Sequence, residues 1–255
     1  MTGGLGDGVT GRHGDGVRRR RWDAVTRRPT LHCCIAVSPR HPVSTSPRLH
    51  VSPSPRLHVF PSLRRLSASN FQLTYPRTIE TSEAEHLLGF LESNRAELLR
   101  RVSAAGVQVR FPNVEVFINE TTGDFVGRTG MPAWAVAATK NNHIEVQPLS
   151  LLKQRRILET TLRHELVHVL IDSMGNGQTP RWLAEGMAIH LAGEGKMIER
   201  YQQKNSMSVE SVERALASAK SAAEMRSAYA GAYKLVKDLI QAEGEEKVWA
   251  TIRRK

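Results

Sequence analysis

The stretch His164-Glu165-Leu166-Val167-His168 decides how this sequence is interpreted. It lies within residues 155–174, where apolar side chains recur at the spacing of an α-helix. Residues four apart on a helix lie on the same face, one turn from each other. The two imidazoles can therefore reach one metal ion, and the carboxylate of Glu165 can address a water molecule beside it. The spacing thus predicts a zinc site with Glu165 as the catalytic base.

An acidic residue in the next apolar stretch, Glu185, completes this prediction. Thr179-Pro180 is a typical helix start, and the preceding Gly175-Asn176-Gly177-Gln178 suits a tight connection between two helices. Such a helical hairpin would bring Glu185 back beside the two histidines. A buried carboxylate is costly unless it is paired or bound to a metal. We therefore predict a three-ligand site of His164, His168 and Glu185, whose fourth position stays open to water.

The segments on either side of this helix pair predict an α+β fold. A helix is predicted from Ser82 to Val102, because its leucines have helical spacing and Gly106 suits a stop. Alternating apolar and polar side chains predict strands over residues 107–111 and 114–119. Residues 134–139 and 143–147 predict two more strands, joined by a short hairpin turn at 140–142. Residues 121–132 contain several turn formers and predict a loop. After residue 150 the pattern is helical to the end, which gives a small sheet followed by helices.

Residues 1–70 differ in composition from the rest of the chain. They contain twelve Arg, no Lys, three Asp and no Glu, so they carry +9 of the net charge of +11. They also hold seven of the twelve prolines and a short repeat of Ser-Pro-Arg-Leu-His-Val. Such a segment buries too little apolar surface to offset its chain entropy, which predicts disorder over 1–70 and a folded domain over 71–255. This segment has three interpretations: a flexible basic tail, a targeting segment, or a stretch upstream of the natural start of the protein.

Charge, cysteines and hydropathy exclude several classes of protein. Residues 71–255 carry a net charge of only +2, so the folded part has no basic surplus for nucleic acid. Cys33 and Cys34 are adjacent, so they provide neither a disulfide framework nor a sulfur-based zinc site. No apolar run approaches the roughly 18 residues of a membrane span, and no standard secretory signal is visible. The compartment and the oligomeric state are left open.

The two helices together carry a family resemblance. His164-Glu165-Leu166-Val167-His168 followed by Pro180-Arg181-Trp182-Leu183-Ala184-Glu185-Gly186-Met187-Ala188 resembles the gluzincin zinc metallopeptidases, and within them the bacterial peptidase-MA-like group. The resemblance covers about residues 110–250. It implies a thermolysin-like zincin catalytic domain, with a small mixed sheet, an active-site helix beneath it and further C-terminal helices. It also implies that an edge strand of the sheet, here residues 134–139, binds extended substrate.

The resemblance further implies a reaction and its residues. Zinc would activate a water molecule, Glu165 would remove its proton, and a peptide bond in a polypeptide substrate would be hydrolysed. Tyr229 resembles an oxyanion donor on the family's downstream helix; Tyr233 is a second candidate, and both could instead pack in the core. Many relatives have a carboxylate one turn after the third ligand, where it orients a ligand histidine. This chain has Ile189 there, and Asp172 is the candidate substitute.

Two other functions stay open at this point. One is a zinc-binding protein of the same fold that no longer catalyses and acts as a scaffold or interaction module. The intact Glu165 argues against it. The other is a basic nucleic-acid-binding protein, which rests on residues 1–70. That segment lacks Lys and has few aromatic side chains for stacking on bases.

Overall fold

A computed structural model describes residues 32–35, 63–203 and 207–253 of the 255-residue chain. In this part of the chain the strands precede most of the helices. The strands are β1 (His32–Ile35), β2 (Leu63–Ser67), β3 (Phe71–Pro76), β4 (Val114–Ile118), β5 (Ala135–Lys140) and β6 (His143–Val146). The helices are α1 (Thr81–Ala104), α2 (Thr122–Thr129), α3 (Leu149–Gln154), α4 (Leu158–Gly175), α5 (Arg181–Ala192), α6 (Gly195–Ile198), α7 (Val209–Ser218), α8 (Ala222–Glu243) and α9 (Glu245–Arg253), with a 3₁₀ helix at Glu199–Tyr201.

The described strands form one mixed sheet in the order β1-β5-β6-β4-β3-β2. β3, β4 and β6 are parallel, whereas β1 with β5, β5 with β6, and β2 with β3 are antiparallel pairs. The β5–β6 connection is the predicted hairpin: Lys140 pairs with His143, and Asn141 has the left-handed φ of 56° that a two-residue turn requires. The predicted α+β class with a small mixed sheet is therefore confirmed.

The core lies between one face of this sheet and the helices α1 and α4. Leu73, Val116 and Ile144, from three neighbouring strands, are at most 1% exposed. They belong to the same apolar cluster as Leu162 and Leu166 of α4. Burial of this apolar surface is the main force that fixes α4 beneath the sheet. The sheet thus provides a rigid support for the helix that carries both histidines.

Two local predictions for residues 107–132 are wrong. Residues 107–111 form no strand, although Val107 and Phe111 are buried. Residues 122–129, predicted as part of a loop, form α2. The reason is a capping box: the Thr121 side chain accepts from the backbone N–H of Asp124, and the Asp124 carboxylate accepts from the N–H of Thr121. This start signal outweighs the glycines inside the helix.

Charged side chains on the outer face of the sheet join α2 to β6. Arg128 donates to Glu145 at 2.7 Å, and its guanidinium lies 3.7 Å from the centre of the Phe117 ring. Burial by itself raises the pKa of Glu145, but hydrogen bonds from His143, Arg128 and Asn119 outweigh it and lower that pKa to about 2. Glu145 is thus held as a carboxylate, and the network fixes β6, the partner strand of β5.

Part of the segment predicted to be disordered belongs to the sheet. β2 pairs with β3 over five residues, and Leu66 packs against the core. β1 pairs with β5. Strand pairing therefore begins before the predicted boundary at residue 71. In β2 the positions between Leu63 and Leu66 are both Arg, so no apolar alternation marked the strand. Residues 1–31 and 36–62 lie outside the described residues, and the predicted disorder stays a prediction for them.

None of the described helices combines the length and the apolar character that a membrane span requires.

Candidate metal site

Helix α4 presents the two histidines from a fully packed element. Its bounds, Leu158–Gly175, match the predicted helix except for the first turn, because Arg156 takes a left-handed φ of 55° and separates α4 from α3. Leu162, Leu166 and Leu170 are fully buried in the core. His164 and His168 lie one turn apart, with ring centres 4.8 Å from each other. The four-residue spacing has brought the imidazoles to one side of the helix, as predicted.

Helix α5 returns beside α4 after the predicted tight connection. Asn176 and Gly177 have φ values of 47° and 66°, which reverse the chain within a few residues. α5 begins at Arg181, and Pro180 is its N-cap rather than its first helical residue. The far side of α5 packs on α8, where Gly186 lies so close that a Cβ would be 2.5 Å from the carbonyl oxygen of Ala232. The contacts at Gly186 fix the position of the preceding residue, Glu185.

The side chains of His164, His168 and Glu185 converge. Glu185 Oε2 lies 3.4 Å from His164 Nε2 and 3.3 Å from His168 Nε2. One candidate ligand atom from each residue lies within 4.8 Å of the other two, and all three residues are 0% exposed. Two imidazole nitrogens and one carboxylate oxygen are a donor set that Zn²⁺ accepts. The arrangement can hold one metal ion.

The charges around this cluster also fit a divalent cation. Glu165, Glu185 and Glu194 are buried, and the guanidinium of Arg181 lies close to them, with its Nε 3.5 Å from Glu185 Oε1. Buried carboxylates are expensive unless positive charge balances them. Three carboxylates and one guanidinium leave two negative charges, which one divalent cation would balance while both imidazoles stay neutral. The residues present therefore fit a metal such as zinc.

Glu194 is a site residue that the sequence prediction missed. Its Oε2 lies 2.7 Å from His164 Nδ1, on the ring edge opposite the candidate ligand atom Nε2. Ile189 occupies the position expected for such a carboxylate. Glu194 follows Gly193, whose left-handed φ of 79° ends α5, so helical spacing from Glu185 could not identify it. The feature of the sequence that could have indicated Glu194 is its place between two glycines, Gly193 and Gly195. The orienting role predicted for Asp172 stays a prediction.

The carboxylates also act on the ionisation of His164. Burial by itself lowers the pKa of this imidazole, but Glu194 and Glu185 outweigh burial and raise the pKa well above its ordinary value. The pocket therefore favours positive charge at this point. A bound cation would take the place of the imidazolium proton, since a ligating imidazole is neutral.

Glu165 follows His164 on α4, and a hydrogen bond attaches its carboxylate to the sheet. Thr139 Oγ1, in β5, donates to Glu165 Oε2 at 2.5 Å, and both residues are fully buried. The bond fixes the orientation of the carboxylate relative to the two histidines. It also shows that β5 passes directly over this end of the site.

The two tyrosine candidates occupy different places on α8. Tyr229 is 2% exposed, and its ring centre lies 6.2 Å from that of His164. Tyr233, one turn later, lies against Gly195, where any Cβ would collide with the tyrosine hydroxyl. The structure thus brings Tyr229 beside His164, while Tyr233 packs against Gly195.

Comparison with known proteins agrees with this geometry. The family model described as Peptidase MA superfamily matches residues 94–254, which is more than half of the chain and includes α4, α5 and α8. No curated protein matches the chain significantly. The matched span contains the whole His-His-Glu cluster. The chain therefore belongs to the Peptidase MA superfamily.

Proposed function

We propose that this protein is a zinc metallopeptidase of the gluzincin type, with a thermolysin-like catalytic domain, and that it hydrolyses peptide bonds in polypeptides. The observation that carries the proposal is the convergence of His164, His168 and Glu185 in a buried site, with the buried Glu165 next to His164 on α4. Membership of the Peptidase MA superfamily supports it. The same donor set with an open fourth position is typical of catalytic rather than structural zinc.

In this proposal His164, His168 and Glu185 hold the zinc ion. Zinc, when bound, supplies Lewis acidity, which polarises a carbonyl and makes a water molecule more acidic. Glu194 orients His164 by accepting a hydrogen bond from its Nδ1–H, so that Nε2 would present its lone pair to the metal. Arg181, 3.5 Å from Glu185 Oε1, restrains the carboxylate ligand.

Glu165 is the proposed general base. It takes a proton from the water molecule as the water oxygen attacks the carbonyl carbon, and it delivers that proton to the amide nitrogen as the C–N bond breaks. The hydrogen bond from Thr139 holds the carboxylate in one orientation, so it need not reorganise during the reaction. The protein is left unchanged after each turnover.

Tyr229 is the proposed donor to the oxyanion. Its buried ring lies close to that of His164, so a substrate carbonyl at the metal would be within the same small space. A phenol hydroxyl can donate a hydrogen bond to the charge that develops on the carbonyl oxygen. Tyr233 is assigned a packing role against Gly195.

The test uses the purified full chain. Elemental analysis is expected to find about one zinc ion per chain. A library of fluorogenic peptides is expected to reveal hydrolysis that a zinc chelator abolishes and added zinc restores. A folded chain that takes up no zinc would overturn the proposal. A zinc-loaded chain that cleaves no peptide, both as wild type and as a Cys34→Pro variant that weakens the β1–β5 pairing, would indicate a scaffold that no longer catalyses.

Glu194→Gln is expected to weaken zinc binding for two reasons. An amide oxygen accepts a weaker hydrogen bond from the Nδ1–H of His164 than a carboxylate does, and the substitution removes a negative charge beside this ligand. Loss of such an orienting partner typically costs about 10–100-fold in metal affinity or activity. The measurement is zinc affinity by competition with a chromophoric chelator. Glu243→Gln, the same substitution at an exposed position of α8, is the control and should leave the affinity unchanged. Equal affinities for both variants would contradict the role of Glu194.

A further inference from the structure

The outer edge of β5 is paired with a strand from the N-terminal part of the same chain. β1 runs antiparallel to β5, with His32 opposite Thr139, Cys33 opposite Ala138 and Cys34 opposite Ala137. The register then shifts, and Ile35 lies opposite Ala135. The backbone pairing is therefore only four residues long and ends at an irregularity.

This edge runs along the candidate metal site. Thr139 of β5 donates to Glu165, and β5 packs directly on α4. Cα atoms of β1 lie within 8 Å of Cα atoms in α4 and also of Cα atoms in α8. These are the helices that carry His164, His168 and Tyr229. β1 thus lies next to β5 and close to both α4 and α8.

A sheet edge can pair with one strand at a time. Its unpaired N–H and C=O groups form a row that accepts an extended peptide through main-chain hydrogen bonds. At the β5 edge the described pairing is with β1. Any other extended peptide that approached Glu165 along β5 would need the same hydrogen-bonding groups, so the two strands exclude each other.

We infer that His32–Ile35 is an intramolecular blocking strand, which occupies the β5 edge and keeps an extended polypeptide substrate away from the metal site. The inference rests on the proposed function, because it assigns this edge to the substrate. The short pairing and the shifted register make β1 a displaceable strand, and its release opens the edge.

A reversible disulfide tests the inference in the full chain. Ala138→Cys places a second thiol opposite Cys33, in a Cys34→Val background that prevents alternative pairing. Residues directly opposite in antiparallel strands have Cα atoms about 4.5–5.5 Å apart, which a disulfide can bridge. Oxidation is expected to form the crosslink, detected by mass spectrometry, and to lower peptide hydrolysis more than about tenfold at unchanged zinc content. Reduction is expected to restore the rate, and Cys34→Val alone should not respond to oxidation.

The opposite change releases the strand. Cys34→Pro is expected to weaken the β1–β5 pairing, because proline has a fixed φ and no N–H to donate. A fluorescent synthetic peptide with the sequence of residues 29–38, its cysteines replaced by valine, serves as the binding probe. It is expected to bind this variant at least about tenfold more tightly than wild type, because the edge is open. Cys34→Val, which keeps strand propensity, is the matched control and should bind as wild type does.

These readouts separate the two proposals. Crosslinking that leaves hydrolysis unchanged would overturn the inference while the proposed function stands. No crosslink in a folded, zinc-loaded variant, or equal probe binding by Cys34→Pro and Cys34→Val, would overturn it as well. Probe binding that depends on β1, together with no peptide cleavage by the zinc-loaded Cys34→Pro variant, would support the blocking strand and count against the peptidase proposal.

Discussion

Replacing Glu165 with glutamine is expected to lower peptide hydrolysis by about 10²–10⁴-fold, the range that a general base contributes. Glutamine keeps the shape of the side chain and can still accept a hydrogen bond from Thr139, but it cannot take a proton from water. Zinc content is expected to stay at about one ion per chain, because Glu165 is not among the proposed ligands. The measurements are kcat/KM on the best fluorogenic peptide and elemental analysis of the same sample.

Glu159→Gln is the matched control for this prediction. Glu159 lies on the same helix, α4, but at an exposed position in its first turn. Its loss removes only a favourable charge near the helix N-terminus, and we expect activity to be unchanged. If Glu165→Gln and Glu159→Gln had equal activity, Glu165 would not be the base.

Glu185→Gln and His168→Ala are each expected to abolish stoichiometric zinc binding. Either change leaves two protein ligands, and a catalytic zinc site ordinarily has three. The loss can be followed in two ways: by elemental analysis, and by the rise in Tm on adding zinc. Because a ligand that binds only the native state stabilises it by mass action, wild type should show this rise and both variants should not.

His190→Ala is the control for the ligand variants. His190 also lies on α5, but its ring contacts Arg101 at 3.0 Å rather than the metal cluster. It should bind zinc as wild type does. Circular dichroism of the variants and of chelator-treated wild type separates loss of the site from loss of the fold. Wild-type zinc content in either Glu185→Gln or His168→Ala would remove that residue from the proposed ligand set.

The parts of the fold with strong local signals were predictable. The helical hairpin of α4 and α5 and the β5–β6 hairpin follow from periodicity and turn residues that lie next to each other in the chain. α2 was missed because a single capping box outweighed the glycines around it. β2 was missed because arginines occupy both positions between its two leucines. In both cases the residue composition of the segment predicted the wrong secondary structure.

The convergence of the His-His-Glu cluster was predictable because each member lies on a strongly patterned helix. Glu194 was not, because its contact with His164 joins residues thirty positions apart after the chain has left the helix. The β1–β5 pairing joins residues about a hundred positions apart, and the short apolar run at 33–37 does not indicate which strand it pairs with. Pairing between distant strands depends on the shape of the assembled core, and the periodicity of a short segment carries no information about that shape.

The close contact at Gly186 limits how the sequence around the site can change over time. A side chain at this position would meet both Val236 and the backbone carbonyl of Ala232. A shorter residue at 236 would relieve the first collision, but no substitution at 232 removes a backbone oxygen. One compensating mutation therefore cannot rescue Gly186→Ala; only a displacement of α8 can, and that displacement would carry Tyr229 with it. The residue after a proposed metal ligand is thus restricted to glycine, and the part of that restriction that no side-chain change can relieve comes from the backbone of α8.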